Sequence, residues 1–263
     1  MPLGALVSDA ITWIRAIRTS HERFCGIVSS LDDRAAQAQS YDDAWSIAQV
    51  ASHLGSQAEI FALFLQAGLE SRPAPGPDEF SPIWDRWNAL TPSEQIAGSV
   101  RTSEELVRAL ESLSGPQRER FALTAFGTEL DLTGLARMRL GEHALHTWDI
   151  AVALDPAATV AGDAVELLID TLPDLATRVG KAQQNGGDVV VETREPARLF
   201  LLRTGPDVVL EPVDSASDDA ARLQLPAESL VRLVYGRLDP AHTPSGLGQQ
   251  DSLARLRPVF TGF

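Results

Sequence analysis

The sequence predicts an α+β protein in which a helical region precedes a small domain of strands and helices. Apolar residues recur at helical spacing through most of the first 180 residues. After Asn185-Gly186-Gly187, β-branched residues alternate in DVVVETR, RLFLLRTG and DVVLEPV, and the helix-like segment PAESLVRLVYGRL follows. A run of helices followed by a run of strands is typical of this class. We therefore predict two domains, residues 1–184 and 185–263.

The first half of the helical region predicts two long helices. The first covers about residues 5–31. The second begins at Trp45-Ser46, because Ser46-Ile47-Ala48-Gln49 has the form of a capping box, and His53 lies on its apolar face. The segment from Ser71 to Pro82 is rich in proline and predicts a loop or crossover, since proline excludes a regular helix.

Further elements are predicted before residue 180. Pro92 follows Thr91 as the first residue of a new helix, a position that suits proline. The remaining elements are a small hairpin around Gly127, a helix that starts at Thr133 and stops before Asp155, and a helix at about 160–180.

A polar stripe on the predicted helix after Thr133 indicates metal chemistry. Arg139, Glu142, His146 and Asp149 are three or four residues apart, which places them on one helix face. Charged groups that face a core are costly unless they are paired or bind a metal. With His53 from the second helix, the sequence offers two imidazoles and carboxylates, the donors of an open catalytic zinc site.

Composition excludes several classes of function. The formal net charge of −14 argues against binding to nucleic acid or to an anionic membrane surface. The sequence has neither a membrane-span-length apolar run nor a signal-peptide pattern, so we expect a cytoplasmic protein. Cys25 is the only cysteine and is expected to be buried, so a reactive thiol would come from outside the chain.

These residues resemble the mycothiol-dependent maleylpyruvate isomerase family. The matching positions are Trp45-Ser46 with His53-Leu54, the polar stripe, and Tyr235-Gly236-Arg237. The resemblance implies an N-terminal four-helix bundle of the DinB-like type and a C-terminal domain similar to sterol-carrier-protein-2 modules. It also implies that His53, Glu142 and His146 bind a divalent metal, with zinc as the expected ion and mycothiol as thiol cosubstrate. Nitrogen and oxygen ligands alone leave nickel, cobalt or manganese open.

Three further residues have alternative roles. Asp149 could orient the ring of His146, and Arg139 could pair with Glu142 or receive a substrate carboxylate. The resemblance implies that Arg237 contributes to the active site. For each of the three, a simple structural ion pair or helix-end charge is the competing interpretation. His143 is expected to point away from Glu142, since the two lie about 100° apart around the helix.

The resulting hypothesis is an enzyme that activates a thiol and adds it to an electrophilic small molecule. In an isomerase, elimination of the thiol follows addition; in a thiol S-transferase, the adduct is released. A non-catalytic metal-binding scaffold remains an alternative, as does a hydrolase that uses zinc-activated water.

Overall fold

The computed structural model describes residues 9–184, 186–216, 221–247 and 251–262. Contacts divide the chain into two compact units, with the division between Thr159 and Val160. The first unit is helical apart from one hairpin, and the second contains a four-stranded sheet, so the predicted α+β class is confirmed. No helix in the described ranges is long and apolar enough to cross a membrane.

The first unit contains seven helices and one hairpin in its described part. They are α1 (Ala10–Val28), α2 (Asp33–Ala36), α3 (Ile47–Leu69), α4 (Pro77–Asn88), α5 (Pro92–Glu111), α6 (Gly115–Arg120), the antiparallel pair β1 (Leu123–Ala125) and β2 (Thr128–Leu130), and α7 (Leu132–Leu154).

Four long helices form the bundle that the resemblance implied. Helix α3 packs against α5 and α7, and α1 packs against α5 and α7. Phe24, Ile47, Leu54 and Ile150 are buried together in the core between these helices. The two helices that carry the predicted metal ligands, α3 and α7, are therefore direct neighbours.

Local capping sets where these two helices begin. The Ser46 side chain accepts a hydrogen bond from the backbone of Gln49, and the Gln49 side chain accepts one from the backbone of Ser46. This is the predicted capping box, in which two otherwise unpaired backbone N–H groups are satisfied. At the start of α7, Asp131 caps the backbone N–H of Gly134.

The proline-rich segment contains a helix that the sequence did not predict. Helix α4 starts at Pro77, where a missing N–H costs nothing because first-turn N–H groups have no intrahelical partner. Pro82 lies inside the helix and removes one main-chain hydrogen bond. The helix persists because its apolar face is buried, with Phe80 and Trp87 packed inward. The prediction of a loop throughout Ser71–Pro82 was wrong beyond Gly76.

The second unit pairs four strands with short helices in its described part. Its elements are α8 (Gly162–Leu168), α9 (Leu172–Val179), β3 (Asp188–Arg194), β4 (Arg198–Arg203), β5 (Val209–Pro212), β6 (Ala221–Pro226), α10 (Ala227–Val234) and α11 (Asp251–Leu256). The strand order is β5-β4-β3-β6, with β3 and β6 parallel and the other pairs antiparallel. The predicted strands correspond to β3, β4 and β5, whereas β6 was not predicted.

The two compact units divide between Thr159 and Val160, which lies before the boundary at 184/185 predicted from the sequence. A short 3-10 turn at Ile169–Thr171 interrupts the single helix expected at about 160–180. Helix α9 packs against β5, and α8 packs against α10, so both helices belong with the sheet unit. Asn185 itself lies outside the described residues.

Helix α10 ends at Val234, earlier than the predicted segment up to Leu238. Gly236 has φ +73, a left-handed conformation that terminates helices and suits glycine. The backbone N–H of Arg237 then donates to the carbonyl of Arg232 at 2.7 Å, which closes the end of the helix.

Candidate metal centre

His53, Glu142 and His146 form one compact set of donor atoms in the bundle core. One ligand atom from each lies within 4.8 Å of the others. The Nε2 atoms of His53 and His146 are each 3.6 Å from Oε2 of Glu142. Glu142 and His146 share a face of α7 because they are one turn apart, and His53 faces them from α3.

These distances fit a bound divalent ion. A separation of 3.6 Å between nitrogen and oxygen is too long for a hydrogen bond. Ligand atoms bonded at about 2.0–2.2 Å to a tetrahedral ion lie about 3.3–3.6 Å from one another. The Nε2 atom of His53 is also buried and has no hydrogen-bond partner among the described residues. A buried polar atom without a partner is costly unless another group, such as a metal ion, lies in front of it.

The protonation states suit metal binding at neutral pH. Burial lowers the pKa of His53, so its imidazole is neutral. Burial by itself opposes ionisation of Glu142, but interactions with His146, His53 and Gln57 outweigh it and hold the pKa of this carboxyl well below its ordinary value. Metal ligands must be deprotonated, and these two groups meet that requirement without rearrangement.

Asp149 lies directly behind His146. Its side chain is 0 % exposed, and Oδ2 is 2.8 Å from Nδ1 of His146. A carboxylate at this distance fixes the imidazole with its proton on Nδ1 and leaves Nε2 to act as ligand. The predicted orienting role for Asp149 is consistent with this geometry.

The Asp149→Asn variant is expected to bind metal about tenfold more weakly, since loss of an outer-shell partner typically costs ~10–100-fold in affinity. Asparagine keeps the size of the side chain but removes the charge that makes the imidazole a better donor. Competition with a chromophoric chelator measures the affinity. Asp131→Asn on the same helix is the matched control, because asparagine caps a helix as well as aspartate. Equal affinity in wild type and Asp149→Asn would contradict the assignment.

Arg139 lies behind the three donor residues and is 1 % exposed. Its guanidinium donates to Gln57 Oε1 at 3.3 Å, to the carbonyl of Leu54 at 3.2 Å and to Ser103 Oγ at 3.2 Å. Burial lowers its pKa to about 10, so it remains a cation at neutral pH. These contacts place Arg139 in the scaffold beneath the site, and no solvent-facing surface remains to receive a substrate carboxylate.

Gln57 connects Arg139 to the donor residue Glu142 and was not predicted from the sequence. Its Nε2 donates to Oε2 of Glu142 at 2.7 Å, while its Oε1 accepts from Arg139. The sequence suggested that Arg139 pairs with Glu142; in the structure the side-chain amide of Gln57 lies between them and hydrogen-bonds to both. Gln57 follows His53 by one helical turn, so the spacing that groups the stripe on α7 would also have identified it.

His143 lies in a different part of the bundle core. Its Nδ1 is 2.9 Å from Ser20 Oγ, and its ring makes an edge contact with Phe24. Arg237 belongs to the second unit, where its Nη1 donates to the carbonyl of Tyr235 at 2.9 Å. Its role in catalysis stays a prediction.

Fold and site together define a class of protein: an α+β chain with a helical bundle whose facing core helices present two imidazoles and a carboxylate. The chain belongs to the mycothiol maleylpyruvate isomerase family, whose N-terminal domain matches residues 17–151. The MDMPI C-terminal domain matches residues 164–255. The resemblance identified from the sequence is thereby confirmed.

Two solved structures share the fold. One is the crystal structure of the mycothiol-dependent maleylpyruvate isomerase, with 14% sequence identity and a TM-score of 0.65, covering 88% of this chain and 90% of that chain. A histidine-to-alanine mutant of that isomerase matches with the same values. No curated protein matches this sequence. At this identity, the likeness establishes the fold alone.

Proposed function

We propose that this protein is a metal-dependent enzyme that activates mycothiol for addition to an electrophile, with cis-trans isomerisation of a maleylpyruvate-like acid as its reaction. The observation that carries the proposal is the set of three donors, His53, Glu142 and His146, at ligand spacing in a chain of this family. Three protein ligands leave a position open for water or substrate, as catalytic zinc sites do.

His53, Glu142 and His146 would hold the ion, and zinc suits two imidazoles and one carboxylate. When bound, the ion supplies positive charge that favours the thiolate form of a neighbouring thiol. The protein's own cysteine does not offer an alternative nucleophile, because burial raises the pKa of Cys25. A thiol of low molecular weight from outside the protein is therefore a better candidate nucleophile than Cys25. Such thiols stay reduced in the cytoplasm.

The reaction consists of addition and elimination. The thiolate forms a bond to one carbon of the cis double bond of a 4-oxo-2-enoic acid, and the electron pair moves into the neighbouring carbonyl. The former double bond is then single and rotates. Expulsion of the thiolate restores the double bond in the trans arrangement, so the thiol is regenerated and no oxidant or reductant is consumed.

The protein's residues position this chemistry. Asp149 keeps the Nε2 atom of His146 directed at the site. Gln57 holds Oε2 of Glu142 by a hydrogen bond, and Arg139 fixes the orientation of that amide. Hydrogen bonds of this kind hold the metal-binding side chains within the narrow range of geometry that activity requires.

The experiment that tests the proposal combines elemental mass spectrometry with calorimetric titration of mycothiol into metal-loaded and metal-free protein, followed by turnover of maleylpyruvate. About one metal ion per chain, thiol binding only to the loaded form and thiol-dependent isomerisation are the expected results. Accumulation of a thiol adduct would instead indicate an S-transferase. Turnover without thiol would indicate a hydrolase, and metal without thiol binding would indicate a scaffold.

Arg237 is the proposed catalytic residue of the second unit. The Arg237→Ala variant is expected to keep its metal and to lose about 10²-fold in kcat, the usual effect of removing one donor that stabilises developing charge. Steady-state kinetics and metal analysis of the same preparation measure both quantities. Arg255→Ala, which removes an exposed arginine of the same unit, is the control. A wild-type kcat in Arg237→Ala would show that Arg237 has a structural role and takes no part in catalysis.

A further inference from the structure

Two arginines of the second unit donate hydrogen bonds to the segment that follows helix α10, residues 235–243. We call this segment the Arg237 loop, because it carries the arginine proposed to act in catalysis. Residues 235–243 form neither helix nor strand, so regular backbone pairing does not satisfy their carbonyl groups. The side chains that bind these carbonyls therefore decide where Arg237 lies.

Arg232 binds the loop from the last turn of α10. Its Nη1 donates to the backbone carbonyl of His242 at 2.7 Å and to that of Arg237 at 3.3 Å. The backbone carbonyl of Arg232 accepts from the N–H of Arg237 at 2.7 Å. Arg232 thus contacts both main-chain polar groups of Arg237 and a carbonyl near the far end of the loop.

Glu228 fixes the orientation of the Arg232 guanidinium. Its two carboxylate oxygens accept from Nε at 2.6 Å and from Nη2 at 3.1 Å, a bidentate pairing between residues one helical turn apart. The side chains are only 3% exposed for Arg232 and 13% for Glu228. A buried ion pair contributes little net stability, because the loss of hydration offsets the attraction between the charges. What this pair provides is direction, since the planar fork points Nη1 at the two loop carbonyls.

Arg257 binds the same loop from the residue after helix α11. Its Nε donates to the backbone carbonyl of Leu238 at 2.9 Å, and its Nη2 donates to Thr243 Oγ1 at 2.7 Å. The carbonyls of Arg237 and Leu238 are therefore bound by two arginines that come from different elements. Both arginines also contact the other end of the loop, at residues 242 and 243.

The turn before Arg237 is constrained as well. Gly236 has φ +73, a conformation that suits glycine. A Cβ atom at this position would lie 2.1 Å from the backbone nitrogen of Gly262, so the backbone near the end of the chain packs directly on the turn. The Arg237 loop is thus fixed at the turn before Arg237 and at the two peptide groups after it.

We propose that Arg232 and Arg257 are positioning residues for Arg237. They bind the carbonyls of Arg237 and Leu238 and so fix the direction in which the Arg237 side chain leaves the backbone. The inference rests on the proposed function, because it requires Arg237 to act in catalysis. A displacement of about 1 Å at a functional group can cost ~10²-fold in rate, so an arginine carried on a loop needs support of this kind.

The test is a double-mutant cycle between Arg232→Lys and Arg237→Ala, read as kcat and KM for maleylpyruvate in the presence of mycothiol. Lysine keeps a positive charge beside Glu228 but lacks the fork that reaches the loop carbonyls at the same time. Arg232→Lys alone is expected to lower kcat about tenfold, with KM and metal content unchanged. In the Arg237→Ala background it should change kcat by less than about twofold, because no guanidinium is left to position.

Arg257→Lys is the second variant, and it keeps the test decisive if Arg232→Lys fails to fold. It should show the same dependence on the Arg237 background. Arg198→Lys is the matched control: Arg198 binds Asp170 bidentately at 2.7 and 2.8 Å in the same unit, and this pair lies outside the loop. The control should keep the wild-type kcat. An equal loss of kcat with and without Arg237 would overturn the proposal, since the arginines would then have a general structural role.

Hydrogen exchange of residues 236–243, measured by mass spectrometry, separates this inference from the proposed function. Exchange in this segment is expected to be faster in Arg232→Lys and Arg257→Lys than in wild type and in Arg198→Lys. An inactive wild type would refute the proposed function, while faster exchange would still support the hold of the two arginines on the loop. Unchanged exchange in both variants would overturn the proposal, whatever their activity.

Discussion

The His53→Ala variant is expected to lose stoichiometric metal and to bind the ion more than about 100-fold more weakly than wild type, since loss of even an outer-shell partner costs ~10–100-fold. His53 is the ligand from α3, so its removal leaves two donors on one helix turn of α7. Two donors on a single helix cannot enclose an ion from opposite sides. Elemental mass spectrometry and chelator competition measure the loss.

The control for this experiment is His242→Ala. His242 is a histidine of the second unit whose Nδ1 is 2.8 Å from an oxygen of Asp239, and it is outside the donor set. This variant should retain one ion per chain. If His53→Ala bound metal as tightly as the control, His53 would be removed from the ligand set and the proposed function would lose its main support.

The Arg139→Met variant is expected to lower the free energy of unfolding of the metal-free protein by about 3 kcal/mol or more. Methionine fills similar space, so the effect comes from polarity. The substitution removes the donor of Gln57 Oε1, Ser103 Oγ and the Leu54 carbonyl, and it leaves the nearby charge of Glu142 without its cation. Urea denaturation of metal-free wild type and variant measures the difference.

Two further variants decide between a scaffold role and substrate binding for Arg139. Arg139→Lys keeps the charge but not the forked geometry, and it should recover part of the stability. Arg101→Met, an exposed position on α5, should be close to wild type. If Arg139→Met kept full stability but raised KM for the substrate by about tenfold, Arg139 would be a substrate contact, and its buried position would have to open during turnover.

The elements that the sequence predicted well are those defined by local chemistry. The capping box at Ser46, proline at the start of α5 and the one-turn spacing of Glu142 and His146 depend only on residues close in the chain. The helix at Pro77 was missed because burial of its apolar face outweighs the cost of Pro82, and burial is not a local property. Strand β6 was missed because its parallel pairing with β3 joins residues about thirty positions apart.

The sequence by itself determined the class of fold and the family, because periodicity, caps and short motifs are properties of neighbouring residues. Its resemblance to that family is also what led us to propose His53, Glu142 and His146 as metal ligands. Only the tertiary structure decided what surrounds those ligands. Gln57 joins Arg139 to Glu142 across residues more than eighty positions apart. Helices α3 and α4 must pack together before the cavity lined by Trp45, Trp84 and Trp87 exists. Such contacts depend on which helix faces meet in the core, and packing of the whole bundle sets that choice.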